Sequence, residues 1–368
     1  MRPNFNKEIE QYNGVFKDKR FNGPFLVRHD LGEDPLNINW VKGDCAKITN
    51  SKAFRRLAYK TQVFTQPINP HVRTRSSHTH EVAAISEVLA DFLGLNSDLC
   101  RAIGSGHDIG HVPFGHAGEE VISKIAEENG DKRKFNHAVY GVVIAQKIER
   151  GDGKGLNLTY QTLEGMLHHS RKGHQLAVNP NFPLEYAVVM YSDKLAYVFA
   201  DIHDAERMER LKRSDFPKDI NFDFNQNHRI LTNKCLNALI EESAQAGKIS
   251  FKHSDTAQNF LALRAWMYEN VYHKIDWGLQ ERMLRRTYLF LSENKNFNGV
   301  NPLIMMTLMT DQQVTNLCRS IKSNRPVNDN ILEEQGILEL VPYVQRVGDL
   351  DYSNPDLNIK DFIYSDIE

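Results

Sequence analysis

At 368 residues with a formal net charge of -2, 25% charged and 41% hydrophobic side chains, the chain is large enough to bury one big core or two modest ones. No global basic field announces nucleic acid as the main ligand, and no apolar run approaches the ~20 residues of a membrane span. Cys45, Cys100, Cys235 and Cys318 are too scattered for a CxxC metal site or a disulfide framework, and MRPNFNKEIEQYNG lacks the apolar core of a signal peptide. Free thiols in a reducing, cytoplasmic setting are the expectation.

In chain order, residues 1–44 are polar and broken by Pro3, Gly14, Gly23, Pro24, Gly32 and Pro35, which predicts an irregular arm that packs on a neighbouring subunit or over a site. Ser51–Phe64 has a capping serine and apolar Phe54 and Leu57, predicting a short helix. Arg55, Arg56 and Lys60 crowd it, a basic face that solvation alone would explain. Val82, Ile85, Val88, Leu89 and Phe92 keep amphipathic spacing, with His78 at the N-terminal mouth of that helix. Gly94 ends it, Asn96 or Ser97 caps the next, and Leu99 and Ile103 carry that one to His107 and Asp108. Gly104, Gly106, Gly110 and Gly115 around this end let backbone approach a ligand closely, although loop punctuation accounts for them equally well.

A helix over Ala117–Asn129 follows, and another resumes near His137. Gly151–Gly155 lacks the order of a phosphate loop and reads as a turn, and Leu163–Gly173 reads as a short helix. Beyond Pro183 a long helix carries two stripes: Val188, Ser192, Leu195, Phe199 and Ile202 on one face, and Asp193, Tyr197, Asp201 and Asp204 on another. A polar stripe on so apolar a helix looks into something polar. Phe216–Asn227 is the best boundary, dividing a core over 45–213 from a helical C-terminal region over 214–368 that completes the same globule. Further helices are expected at Ile230–Ala246, Ala257–His273, Leu279–Glu293, Pro302–Asn316 and Leu332–Val341. Strand alternation is scarce, so the predicted class is all-α.

Six of the fifteen histidines fall between His71 and His116. Imidazole nitrogen beside carboxylate oxygen at His107-Asp108 suits Mn, Fe, Co, Ni or Zn better than Ca. Alone, the pair also fits a packed histidine next to a capping aspartate. It cannot fill a coordination sphere, and His78 and Asp193 are the further ligands that the chain offers. His116 and Glu119 stand three apart where a helix begins, so the carboxylate can orient and charge the imidazole.

The ordered pattern of His78, His107-Asp108 and Asp193 resembles the HD-domain metal phosphohydrolases. Within them, SKAFRRLAYKTQVF, HVRTRSSHTHEV, GHDIGHVPFGHAGEE and SDKLAYVFADIHDA resemble the deoxyguanosine triphosphate triphosphohydrolase (dGTPase) family over roughly residues 44–206. The resemblance implies the HD-domain helical phosphohydrolase fold and cleavage of a deoxynucleoside triphosphate, dGTP by default, into deoxynucleoside and triphosphate. Position by position it implies a divalent ion (Mn, Mg, Co, Fe, Ni or Zn) on His78, His107, Asp108 and Asp193, and an acid-base pair of His116 with Glu119. It also implies a phosphate contact from His111, whose bland reading is a solvated loop histidine. Arg75, Lys194, Tyr197 and His137 match substrate contacts, Gln62 and Asp201 match residues near the sugar, and Arg56 is either a substrate residue or an effector or subunit contact.

Three departures stand out: GDCAKITN lacks the family's Arg-Asp pattern, FNHAVYG keeps only its histidine, and His80 replaces an apolar residue. They leave the metal chemistry alone and open the questions of base preference and effector. The partners expected are a dNTP and further copies of the chain, with a nucleotide effector or nucleic acid secondary and no membrane. The competing readings are another HD-domain nucleotidase or phosphodiesterase, which would not need Gln62, Arg75 and GHAGE together, and a noncatalytic nucleotide sensor or single-strand binder.

Overall fold

Capping side chains set the helix registers that matter for the site. The computed structural model describes residues 7–21, 39–64, 69–150, 152–170, 179–322 and 327–358. Among these residues there are fifteen α-helices and no strand, apart from an isolated antiparallel bridge between Thr61 and Thr74. The fold is all-α, as the scarcity of alternation predicts. In order the helices are α1 (Trp40–Asn50), α2 (Lys52–Arg56), α3 (Arg75–Leu93), α4 (Ser97–Gly106), α5 (Gly115–Glu128), α6 (His137–Val143), α7 (Tyr160–His168) and α8 (Leu184–Arg207). Then follow α9 (His228–Ala246), α10 (Asp255–Asn270), α11 (Gly278–Glu293), α12 (Pro302–Leu308), α13 (Asp311–Lys322), α14 (Asp329–Glu334) and α15 (Val341–Val347).

Two apolar clusters organise them. One gathers α3, α4, α8, α9 and α10 around Leu89, Leu99, Val188, Phe199, Leu236 and Phe260. The other gathers α2, α5, α6, α7 and the helices from α11 onward around Leu57, Ile122, Tyr140, Leu163, Met305 and Leu317. The residues after 214 thus divide between the clusters, and α1 ties them together, with Val41 in one and Ile48 in the other. Gly104 presses α4 onto α3, where an added Cβ would lie 2.9 Å from the Ala83 Cα. This close crossing brings the end of α4 next to the start of α3.

The observed elements differ from expectation in several places. The helix α1 begins inside the stretch read as an irregular arm, because Asn39 caps it by accepting from the Val41 and Lys42 amides. The single helix expected over Pro302–Asn316 is two, α12 and α13. Thr310 starts the second: its hydroxyl accepts from the Gln313 amide while the Gln313 side chain accepts from the Thr310 amide, a reciprocal cap. The stretch Leu332–Val341 is α14, a 3₁₀ turn over Leu338–Leu340 and α15. Finally, the helix with His137 at its start runs only to Val143 before a π turn over Ile144–Ile148, and the helix expected over Leu163–Gly173 is α7, with residues 171–173 outside the described set.

Candidate active site

Thr74 and Ser77 cap α3 reciprocally, which fixes Arg75 and His78 one turn apart on its first turns, both buried. His107 closes α4 and Asp108 begins the turn beyond. That turn can press against α6 only because residue 110 is glycine: a Cβ there would lie 2.0 Å from the His137 carbonyl oxygen. Asp193 projects from the middle of α8.

These four side chains meet. His78 Nε2 lies 3.0 Å from Asp193 Oδ1, and His107 Nε2 lies 3.4 Å from Asp108 Oδ1 and 3.9 Å from Asp193 Oδ1. His78, His107 and Asp108 each present a ligand atom within 4.8 Å of the others. Donors ~2.1 Å from a shared ion stand roughly 3.0–3.4 Å apart, so the separations suit one. The tautomer of His107 argues the same way. Its Nδ1–H donates to the Gly104 carbonyl at 2.7 Å, which leaves a lone pair on Nε2, an atom with no hydrogen-bond partner among the described residues. That lone pair faces two carboxylate oxygens. Only a proton or a cation relieves the arrangement, and burial lowers the His107 pKa and so disfavours the proton. Burial alone would lift both carboxylates. Yet His107, His111 and Arg75 hold Asp108, and Lys194, His78 and His107 hold Asp193, well below the usual carboxylate range. Two carboxylates and two imidazoles fit a divalent ion.

A second set adjoins the first through Asp108. His111 Nε2 lies 3.2 Å from Asp108 Oδ1, and His111 Nδ1 lies 3.0 Å from Glu119 Oε1. The same oxygen is 3.0 Å from His137 Nδ1 and 3.2 Å from His116 Nδ1. Glu119 is therefore shared by three imidazoles, where sequence spacing paired it with His116 alone. Against the upward push of burial, His137 and His116 hold it well below the usual carboxylate range. His111 and His137 stack at 3.8 Å and are buried, whereas the His116 side chain is 71% exposed. The bland reading of His111 as a solvated loop residue is thus excluded. Burial and Arg75 push its pKa down to about 3, so the ring is neutral.

Arg75 donates to Asp108 Oδ2 at 2.9 Å and lies over Gly115, whose φ of +56° and lack of a Cβ leave room for the guanidinium. Lys194 donates to Asp193 Oδ2 at 2.5 Å with its ammonium near the Tyr197 ring. The Tyr197 hydroxyl accepts from Arg264 at 2.9 Å. Asp201, one turn further along α8, accepts from the Tyr272 hydroxyl at 2.8 Å, and burial pushes its carboxyl up to about 7. The Gln62 side-chain oxygen is buried and without a partner among the described residues, and its carbonyl accepts from Arg75. Arg56 is turned elsewhere: it bonds Glu149 at 3.3 Å and lines a separate cleft of about 550 Å³ with Lys52, Arg55, Tyr59 and Gln313. His80 is exposed, edge-on to Phe54.

Sequence reasoning missed His169, Lys60 and Asp311. His169, buried just past the end of α7, has its ring 5.0 Å from His107 and 5.4 Å from His137. The His168-His169 pair within the helix expected over Leu163–Gly173 was the available signal. Lys60 is buried and donates to the His111 carbonyl, and Asp311 binds the Thr61 amide and hydroxyl and the Phe114 amide.

The HD domain family model matches residues 75–198, the stretch that carries all four convergent donors. A deoxyguanosinetriphosphate triphosphohydrolase-like protein of Caldanaerobacter subterraneus subsp. tengcongensis is 38% identical over 255 residues, 68% of this chain and 71% of its own length. The chain belongs to this HD-domain dGTPase-like family. Proteins of the same description from Clostridium tetani and Clostridium perfringens strain SM101 are 43% and 36% identical, over 62% and 72% of this chain. The matched parts cover 65% and 77% of those relatives, so the chain spans about two thirds of the length of the HD-domain dGTPase-like proteins it resembles.

Proposed function

We propose that this protein is a metal-dependent phosphohydrolase that converts a deoxynucleoside triphosphate, dGTP by default, into a deoxynucleoside and triphosphate. The observation that carries the reading is the continuity of the two buried sets. The donors His78, His107, Asp108 and Asp193 lead through His111 to Glu119 and out to the exposed His116. A divalent ion on the four donors would polarise an α-phosphoryl oxygen and lower the pKa of a neighbouring water. Arg75 and Lys194 each hold a carboxylate that such an ion would claim, and are then free to turn to the triphosphate.

Water oxygen adds to the α-phosphorus and releases a proton to solvent, the bond from phosphorus to the sugar 5′-oxygen breaks, and the departing oxygen takes a proton. His116 supplies that proton, and Glu119, 3.2 Å from its Nδ1, orients the ring. His137 and His111, stacked over the same carboxylate, line the phosphate path. Gln62 offers an unpaired buried oxygen and Asp201 a protonatable carboxyl toward the sugar, where a 3′-hydroxyl separates good substrates from poor ones.

The test is product identity. The protein is incubated with each dNTP and NTP plus Mn²⁺ or Mg²⁺, and the phosphate product is identified by anion-exchange chromatography and ³¹P NMR. Triphosphate with deoxynucleoside is expected. Pyrophosphate with dNMP, or orthophosphate with dNDP, would refute the reading.

A further inference from the structure

Two histidines around the proposed site share one arrangement, and a third lies beside them. His107 Nδ1 donates to the carbonyl of Gly104, three residues back, at 2.7 Å, and His169 Nδ1 donates to the carbonyl of Met166, also three residues back, at 2.6 Å. His137 Nδ1 lies 3.0 Å from Glu119 Oε1. His137 Nδ1 and Glu119 Oε1 are close without a hydrogen bond, whereas in His107 and His169 one nitrogen is tied to a backbone carbonyl, which leaves the other to present a lone pair inward. Metal-ligating histidines are held in this way, because the outer oxygen fixes both tautomer and ring orientation. In His107 the inward nitrogen belongs to the donor set already described. In His169 that set makes no use of it, nor does it use the neighbouring His137 ring.

We infer that Asp108, His137 and His169 form a second divalent-cation site, with Asp108 shared between the two ions. The three residues are buried, and one ligand atom from each lies within 4.8 Å of the others. They come from separate elements, the turn after α4, the start of α6 and the end of α7, so their convergence is a product of the fold and not of one helix face. The site offers two imidazoles and a shared carboxylate, against two imidazoles and two carboxylates in the first. It binds more weakly and suits Mn²⁺ or another ion that accepts mixed nitrogen and oxygen donors. Arg75, 2.9 Å from Asp108, opposes a second positive charge until a polyphosphate draws the guanidinium away. An ion here would lie on the side of Glu119 and His111, where it can take further phosphate oxygens in the manner of two-metal phosphoryl-transfer sites.

This inference rests on the four-donor site of the proposed function, and the experiment separates the two. Full-length protein stripped with a chelator is titrated with Mn²⁺ by equilibrium dialysis with elemental analysis, and followed by EPR. The wild type is expected to saturate at two ions per chain, the second at least tenfold weaker, with the six-line Mn²⁺ signal losing intensity as the exchange-coupled pair forms. His169→Gln keeps a donor for the Met166 carbonyl and offers a poor ligand. It should saturate at one ion with the six-line signal intact, the first affinity unchanged within threefold, and the same far-ultraviolet circular dichroism. His169→Phe, which fills the space, is the second variant should the first fold poorly. Saturation of the wild type at one ion, or two ions retained in both variants, overturns the second site and leaves the first standing. Failure of the wild type to bind any ion, or His107→Ala and Asp193→Ala that still bind as wild type, overturns the first site and the shared Asp108 with it.

Discussion

Replacing Asp311 tests whether the C-terminal helices hold the site together. One Asp311 oxygen accepts from the Thr61 amide at 3.0 Å and hydroxyl at 2.6 Å, and the other accepts from the Phe114 amide at 2.9 Å. Thr61 precedes Gln62, and Phe114 stands at the head of the helix that carries His116 and Glu119, in a left-handed conformation with φ of +63°. Such a conformation costs a bulky residue ~1–3 kcal/mol and persists only where neighbours impose it. In Asp311→Ala the Thr61 hydroxyl can turn to a new partner, but two buried amides cannot. At ~1–3 kcal/mol for each orphaned donor, destabilisation of about 3–5 kcal/mol is expected, the range for breaking a buried polar pair. Lys60 adds to it: burial and the Arg56 charge already lower its pKa, and the variant removes the Asp311 charge that opposes them. Thermal melts should show Tm lowered by roughly 4–6 °C. Well below the melt, kcat should fall by ~10², as relaxation at Phe114 shifts His111 and His116. Asp311→Asn keeps one accepting oxygen and should lie between the two. If the alanine variant melts within about 1 °C of wild type with kcat unchanged, the C-terminal helices do not position the site and the reasoning fails.

Elemental analysis of the protein as isolated should find about one ion per chain at the four-donor site, with two as the ceiling at saturating Mn²⁺; His107→Ala or Asp193→Ala should deplete it, and unchanged content in both would remove those residues as ligands. His116→Ala should lower kcat ~10² to 10⁴-fold while metal content and nucleotide binding persist. Metal lost from that variant would make His116 a ligand, and full activity would move the proton to another group. Glu119→Gln should cost at least as much, because the carboxylate serves His111 and His137 as well, and the double variant should cost little more than either single change; multiplicative losses would show that the residues act apart. For Asp201 the native state prefers the protonated form. The stability it contributes is complete below its unfolded value near 3.8, and is lost as pH rises through about 7, a ceiling of ~4 kcal/mol. Tm of Asp201→Asn relative to wild type should therefore climb between pH 5 and pH 8, and parallel curves would contradict the assignment.

The four convergent donors were legible because each belongs to a local pattern: a cap before His78, an apolar helix running into His107-Asp108, and a polar stripe around Asp193. The helix α1 was not. Its buried positions are Val41, Asp44 and Ile48, and the middle one is a carboxylate, which breaks the apolar period. Asp44 is there to accept from the Thr159 amide and hydroxyl and the Thr162 hydroxyl, partners 115 and 118 residues away that no local window contains. The threefold sharing of Glu119 escaped for the same reason, since only His116 is a helical neighbour. Asp311 was hidden twice, by its distance in sequence and because a helix was drawn through its cap. Thr310 and Gln313 carry the signature of a reciprocal cap, so that error was avoidable.

The same separations set a timetable for synthesis. Asp193 follows His78 by 115 residues, and Asp311 follows Thr61 by 250. At ~5–20 residues per second, Asp193 leaves the ribosome roughly 6–23 s after His78, and Asp311 roughly 12–50 s after Thr61. Through that interval the early helices carry their buried imidazoles and carboxylates without the partners that neutralise them, and the turn at Phe114 has nothing to hold it. Until the last third of the chain docks, the turn at Phe114 lacks the Asp311 contact that sets its geometry.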